Sequence, residues 1–399
     1  MKHITRDTYL NRLLGLKNTP DIKIITGLRR SGKSELLNDF IRRLRDDASS
    51  NIIFIDFFDL EFEHLKNYKE LHKYVKDKFV EDRVNYLLID EIQLCDKFEL
   101  TINSLHNSGK FDIYLTGSNA FLLSSDLTTL FTGRFIEIPV FPFSFSEYLK
   151  YNENEDIYIE TLLDDYVVRG GLSGSYVYGN EVDRIAYLKD VFKTIVNRDL
   201  VDKYNISDTL VLDKLAEYLM DNISNLSSPN NISETLCINN VATNHVTVNK
   251  FIKYLCNAFM FYQVKRYDIK GKKYLKTSEK YYLSDLGFRF SQLGNRNMDY
   301  GRCYENIVCI ELLRRGYEVY VGKLYNKEID FVAIRNNEKI YIQVSDDISN
   351  KETFQREVSS LLQIKDAYPK ILIARTRHDV YQYEGIRVIN LADWLKDYK

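Results

Sequence analysis

The run Gly27-Leu28-Arg29-Arg30-Ser31-Gly32-Lys33-Ser34 constrains this chain more than any other stretch. It follows Ile22-Lys23-Ile24-Ile25-Thr26, which is short, β-branched and strand-like. It precedes Leu36, Leu37, Phe40, Ile41 and Leu44, which recur at helical spacing. Strand, glycine turn and helix in immediate succession are the context in which the pattern G-x-x-x-x-G-K-[ST] carries chemistry. The order predicts an α/β core. Glycines let backbone N–H groups turn inward around phosphate oxygens, and the helix N-terminus adds partial positive charge. The expected nucleotide-binding residues are Gly27, Arg29, Arg30, Ser31, Gly32, Lys33, Ser34 and Glu35. Lys33 would reach the β- and γ-phosphates of ATP, and the Ser34 hydroxyl would ligate Mg2+.

Such a loop needs a carboxylate across the sheet. Val84 to Ile89 is a near-continuous apolar run, as expected of a parallel strand buried on both faces, and it ends in Asp90-Glu91. Asp90 is the expected second metal residue, and Glu91 the base that polarises the attacking water. The next strand-like run, Asp112 to Thr116, leads into Gly117-Ser118-Asn119. A polar side chain there can sense the γ-phosphate, and Asn119 or Ser118 is the candidate for that role; the alternative is a plain strand-end turn. Arg134 precedes the strand-like Phe135 to Ile138. It reads either as an arginine finger serving a neighbouring subunit or as a surface ion-pair partner.

A chain of 399 residues predicts two or three domains. A net charge of −2 excludes a globally basic nucleic-acid binder but leaves room for a local basic patch. Five cysteines with no C-x-x-C pair argue against a disulfide framework or a zinc ribbon and for a reducing, cytoplasmic setting. The N-terminus lacks the apolar core of a signal peptide, and no apolar run is long enough to span a membrane.

From Ser207 onward the spacing predicts three helices: one carrying Leu210 to Met220, a short one at Ile232 to Leu236, and a third with Val248, Phe251, Ile252, Leu255 and Phe259 on one face. Two strand-like pieces follow, Phe261 to Arg266 and Lys280 to Leu283. Three helices and a hairpin make a winged helix, whose third helix can enter a major groove. Between residues 241 and 290 stand ten Lys/Arg against three acids, a phosphate-binding stripe on an otherwise slightly acidic chain. Lys250, Lys253, Lys265, Arg266, Lys272 and Lys273 are the nucleic-acid candidates. The alternatives are a solvated hairpin or a docking surface for the acidic segment 51–100. The third helix carries no arginine, so backbone contact is favoured over guanine readout.

The last hundred residues resemble a restriction-endonuclease-like core. Active members pair an aspartate on one strand with E/Q-x-K on the next and add a helix glutamate. Here Asp330, Gln343 and Glu305 match, but Ser345 stands where the lysine belongs. Serine supplies no positive charge, so the domain reads as a degenerate nuclease site. Taken together, the loop, Asp90-Glu91-Ile92-Gln93, Leu115 to Asn119, Gly133-Arg134, Phe143 to Tyr148, Arg198-Asp199, Tyr282 to Gly287, Tyr304-Glu305-Asn306, Glu328 to Phe331 and Gln343-Val344 resemble the bacterial and archaeal predicted ATPases that join an AAA-type P-loop core to a C-terminal domain of unknown function.

The resemblance implies a P-loop ATPase core over residues 1–150, a helical lid or linker over 151–200, an α+β winged helix domain over 201–295 and an inactive restriction-endonuclease-like α/β domain over 296–399. It implies ATP binding by Gly32, Lys33 and Ser34 and hydrolysis through Asp90 and Glu91; with the residue reading added, the expected cofactors are ATP and Mg2+ and the expected catalytic set is Lys33, Glu91, Asn119 and Arg134. The reading is a Mg-dependent ATPase acting as a switch. Its admitted partners are double-stranded DNA, a protein and further copies of the chain. Two alternatives stay open: an ATP-dependent nuclease, and a nucleotide-gated protein scaffold without turnover.

Overall fold

Strands with apolar residues on both faces need helices on both sides, and the N-terminal sheet has them. The computed structural model describes residues 2–117, 134–153, 157–296 and 298–396, with the side chains of residues 273–277 outside that description. The chain divides into two compact units: Met1–Phe141 with Asn257–Phe259, and Pro142–Cys256 with Met260–Lys399. The core boundary expected at residue 150 therefore falls at Phe141, and the stretch expected as a lid belongs to the second unit.

In the first unit, α1 (Asp7–Gly15), β1 (Ile22–Thr26), α2 (Lys33–Arg45), β2 (Ser50–Asp56), α3 (Tyr68–Asp77), β3 (Val84–Asp90), α4 (Phe98–Asn107), β4 (Phe111–Thr116) and β5 (Phe135–Pro139) follow in order. The described strands form one parallel sheet in the order β2-β3-β4-β1-β5. Alternate residues of one strand feed opposite cores. Leu87 and Ile89 join Ile22, Ile24, Leu71 and Ile102 on one side, while Tyr86 and Leu88 join Leu13, Leu37 and Phe40 on the other. Lys23 is fully buried mid-strand, and its ammonium is satisfied by Asp112 Oδ1 at 2.5 Å and by the Thr19 carbonyl at 2.7 Å.

The second unit opens with a helix at Phe145–Tyr151, started by a reciprocal cap between Ser144 and Glu147. Helices follow at Ile159–Arg169 and Glu181–Thr194, the latter running into a π-helical segment at Ile195–Asp202. The expected three helices are Thr209–Asp221, Pro229–Ile238 and His245–Asn257. The hairpin after them, β6 (Phe261–Asp268) and β7 (Lys273–Leu283), does not stand apart as a wing. Strand β6 pairs in parallel with β8 (Glu318–Leu324), so the hairpin forms one edge of an eight-stranded sheet ordered β12-β13-β11-β10-β9-β8-β6-β7. The other members are β9 (Lys327–Arg335), β10 (Glu338–Ser345), β11 (Lys370–Ala374), β12 (Tyr381–Tyr383) and β13 (Ile386–Asn390).

The boundary expected at 295/296 thus crosses a sheet. The reason is packing: Tyr267 and Ile269 bury with Leu324, Ile329 and Val332. Gly322 lets them approach, since a Cβ there would meet Ile329 and Ile269 side-chain carbons at 2.9 and 3.0 Å. A second link uses Asp285, whose carboxylate accepts the N–H groups of Gly171 at 2.6 Å and Gly287 at 2.8 Å. Gly170, at φ +73°, has no room for a Cβ, which would lie 1.9 Å from Asp285 Oδ1. This contact explains the Arg169-Gly170-Gly171 turn.

Candidate functional site

The phosphate loop is built where β1 meets α2. Thr26 O accepts the Val140 N–H at 2.8 Å, and Ile25 O accepts that of Gly117 at 3.1 Å, so the strand end is fixed from both sides. Gly27 adopts φ +141°, and a Cβ there would sit 2.1 Å from the Val140 carbonyl oxygen. Arg30 and Gly32 are left-handed at φ 66° and 94°. The Lys33 ammonium folds back onto the loop, donating to Gly27 O and Leu28 O at 3.0 Å each. Arg29 is half-buried and Arg30 exposed; Ser31 is buried; Ser34 and Glu35 lie exposed on the first turn of α2. Glu35 turns toward His3 and Arg42, each 3.4 Å away, rather than into the loop.

Asp90 ends β3 and Glu91 follows it immediately, both buried. One hydroxyl organises them: Thr116 Oγ1 donates to Asp90 Oδ1 and accepts the Glu91 N–H at 3.0 Å. Glu91 holds φ 55°, a left-handed conformation uncommon for a non-glycine residue and concentrated at functional sites. Its carboxylate accepts from Gln93 Nε2. Asp56, paired in register with Asp90 on the neighbouring strand, adds a further carboxylate; burial and the Asp90 charge raise its pKa.

Sequence reasoning missed Arg6. Its guanidinium, in a residue only 3% exposed, donates to Ser31 O within the loop and to Phe141 O, each at 2.9 Å. It also lies 4.6 Å over the Tyr9 ring. A lone arginine ahead of an amphipathic helix carries no local signal of such a reach. Thr116 was visible only as a strand residue; its signal is a hydroxyl amino acid one strand over from the acidic pair.

Asn119 and Ser118, the expected γ-phosphate sensors, lie outside the described residues. Arg134 sits exposed at the start of β5, and its guanidinium donates to Asn107 Oδ1 at 2.7 Å. Parallel register pairs Ile22 with Phe135 and Thr26 with Pro139, so Arg134 lies at the end of the sheet opposite the loop. Arg134 is level with Asp21, six residues before Gly27, so at ~3.3 Å per residue the separation along the strand is roughly 20 Å. Arg134 therefore does not reach its own chain's loop.

Among the nucleic-acid candidates, Lys250, Lys253, Lys265 and Lys272 are exposed and Arg266 is half-buried, while the Lys273 side chain is outside the description. Lys250 lies 5.7 Å over Tyr254, whose ring stacks on Tyr204 at 3.6 Å. The nuclease-like residues do converge. Asp330 Oδ2 accepts the Val344 N–H at 2.8 Å, and Gln343 Oε1 accepts the Asp330 N–H at 3.3 Å. Glu305 lies beside them on the helix Tyr300–Arg314. The Ser345 hydroxyl donates to the Asp347 carbonyl, at 3.2 Å.

Residues 19–149 match the family described as "AAA domain", and residues 160–299 match a domain of unknown function. A Haemophilus influenzae protein described as uncharacterized is 40% identical over 98% of this chain and 98% of its own length. A Methanocaldococcus jannaschii protein, likewise described, is 28% identical over 96% of this chain and 88% of its own. The crystal structure of Cdc6p from Pyrobaculum aerophilum covers 77% of this chain and 95% of its own at 12% identity with a TM-score of 0.33, too distant a likeness to bear on function. No helix among the described residues is long and apolar enough to cross a membrane. The full-length match and the two consecutive family matches show that the chain belongs to the AAA-type P-loop ATPases that carry a C-terminal domain of unknown function.

Proposed function

We propose that the chain hydrolyses ATP with Mg2+ and acts as a nucleotide-dependent switch working with double-stranded DNA. The observation that carries this reading is the joint placement of a satisfied, loop-bound Lys33 with Asp90 and Glu91 held by one threonine. The residues fit the nucleotide: the glycine at 27 leaves no space for a side chain, and the Ser34 hydroxyl is exposed at the start of α2. Lys33 and the loop amides would bind the phosphates, Ser34 and Asp90 would hold Mg2+, and Glu91 would orient the attacking water. The metal would supply charge neutralisation at the phosphates. Asn119 is the proposed sensor, and Arg134 a finger donated to a neighbouring copy, since it faces away from its own loop.

The DNA part rests on the exposed Lys250 and Lys253 on the third helix of the three-helix set and on the basic hairpin beside it. The test is binding of a labelled duplex at several salt concentrations, with and without ATP. The expected result is an affinity that falls steeply with salt and differs between nucleotide states. The double variant Lys250→Glu/Lys253→Glu should weaken it uniformly across sequences. Binding that ignores salt and both lysines would remove DNA from the proposal.

A further inference from the structure

The degenerate nuclease site lacks a lysine in sequence but not in space. Lys280 lies on β7, three strands from the Asp330 strand in the sheet order, with β8 and β6 between, on the hairpin that sequence reasoning assigned to a separate domain. Its residue is 3% exposed. Its ammonium contacts Glu305 Oε1 at 2.9 Å and Glu328 Oε1 at 2.7 Å. Residues two apart on a strand share a face, and Tyr282 accordingly donates its hydroxyl to the same Glu305 oxygen at 2.7 Å. Asp330 and Gln343 complete the cluster, and Gln343 Nε2 donates onward to Glu357 Oε2 at 2.9 Å.

Charge and convergence fix the lysine's role. Burial works against charge on Lys280, but Glu305, Asp330 and Glu328 outweigh it and push its pKa up, so the ammonium stays protonated. Burial raises the Asp330 carboxyl well above its ordinary range, and Glu305 adds to that. A divalent ion needs several oxygen ligands around one point. Among the described residues, the set of three or more His, Cys, Asp or Glu donors close enough for that is His3, Glu35 and Asp39, not this cluster. Here two carboxylates meet at an ammonium instead.

We propose that Lys280 is the resident cation of this site, standing where a divalent metal would otherwise bridge the carboxylates, and that the C-terminal sheet carries a closed, non-cleaving centre built around it. The cation has moved in the fold as well as in the sequence: it arrives from the hairpin and occupies the carboxylates themselves rather than the position beside a metal. The inference is independent of the ATPase reading.

Equilibrium Mn2+ binding to the nucleotide-free full chain, read from the electron paramagnetic resonance signal of free Mn2+, tests it. Wild type and Asp330→Asn should bind Mn2+ identically. Lys280→Met should gain one site, at least about tenfold tighter than anything in the wild type. That site should vanish again in Lys280→Met/Asp330→Asn. A wild-type Mn2+ site lost in Asp330→Asn overturns the proposal, because metal then sits beside Lys280 and the lysine is a displaced catalytic group. A Lys280→Met chain with native circular dichroism and no gained site overturns it as well. Should Lys280→Met fail to fold, the wild-type and Asp330→Asn pair still decides.

Discussion

Replacing Arg6 by Met removes a guanidinium but keeps a long apolar stem over Tyr9, which separates charge from packing. Two buried hydrogen bonds go, to Ser31 O and Phe141 O, both at 2.9 Å. Hydrogen bonds from a charged donor contribute about 1.5–3 kcal/mol each, and the stranded carbonyls add their own desolvation cost. The low end of that range puts the loss at about 3 kcal/mol for the first unit. Because one of the two acceptors lies inside the phosphate loop, nucleotide affinity should fall as well, by about tenfold or more, corresponding to about 1.4 kcal/mol of loop ordering. Hydrogen exchange of the β1 and β4 amides reads the stability, since it resolves this unit from the rest of the chain. Titration with a fluorescent ATP analogue reads the affinity, at a temperature where the variant is folded. Unchanged exchange together with unchanged affinity would refute the reasoning, for it would mean that Arg6 neither braces the fold nor sets the loop.

Other expectations follow from single contacts. Thr116→Val keeps shape but strips the hydroxyl that serves both Asp90 and Glu91. Leaving the Glu91 N–H unpaired should cost about 1–3 kcal/mol and reduce turnover more than ATP binding, measured by single-turnover hydrolysis beside equilibrium titration. The Asp285 carboxyl gives a pH signature. Burial raises it to about 7, against the pull of the Gly171 and Gly287 N–H groups. The folded form therefore holds its proton more tightly than the unfolded chain does. The group imposes no penalty below pH ~4, and stability falls as pH rises from there toward 7 and then levels. Across that window the shift amounts to on the order of 4 kcal/mol. Urea titrations followed by Trp394 fluorescence should show a shallower pH slope for Asp285→Asn; an unchanged slope would contradict the assignment.

The first unit was legible because its signals are local. The loop, the strand before it and the acidic pair each occupy a few consecutive residues whose types are dictated by backbone geometry or by burial on both sides. Arg6 was not legible, because its partner carbonyls lie 25 and 135 residues away in sequence and any side chain leaves carbonyls unchanged. In the second unit the strands of the hairpin were recognisable, but their pairing was not. Whether β6 ends a winged helix or extends a sheet depends on β8, which begins fifty residues later, and on Gly322 permitting close approach. The same non-local pairing hid Lys280. A motif search looks two residues past Gln343 and finds serine, whereas the sheet brings the cation from a strand that precedes the whole motif.

Steady-state ATP hydrolysis by the full chain, beside Lys33→Ala and Glu91→Gln, tests the central claim most directly. The account predicts Mg2+-dependent turnover in the wild type, loss of both binding and turnover in Lys33→Ala, and retained binding without turnover in Glu91→Gln. Equal turnover in all three proteins would contradict it, because hydrolysis would then owe nothing to the loop or to the strand-end carboxylate.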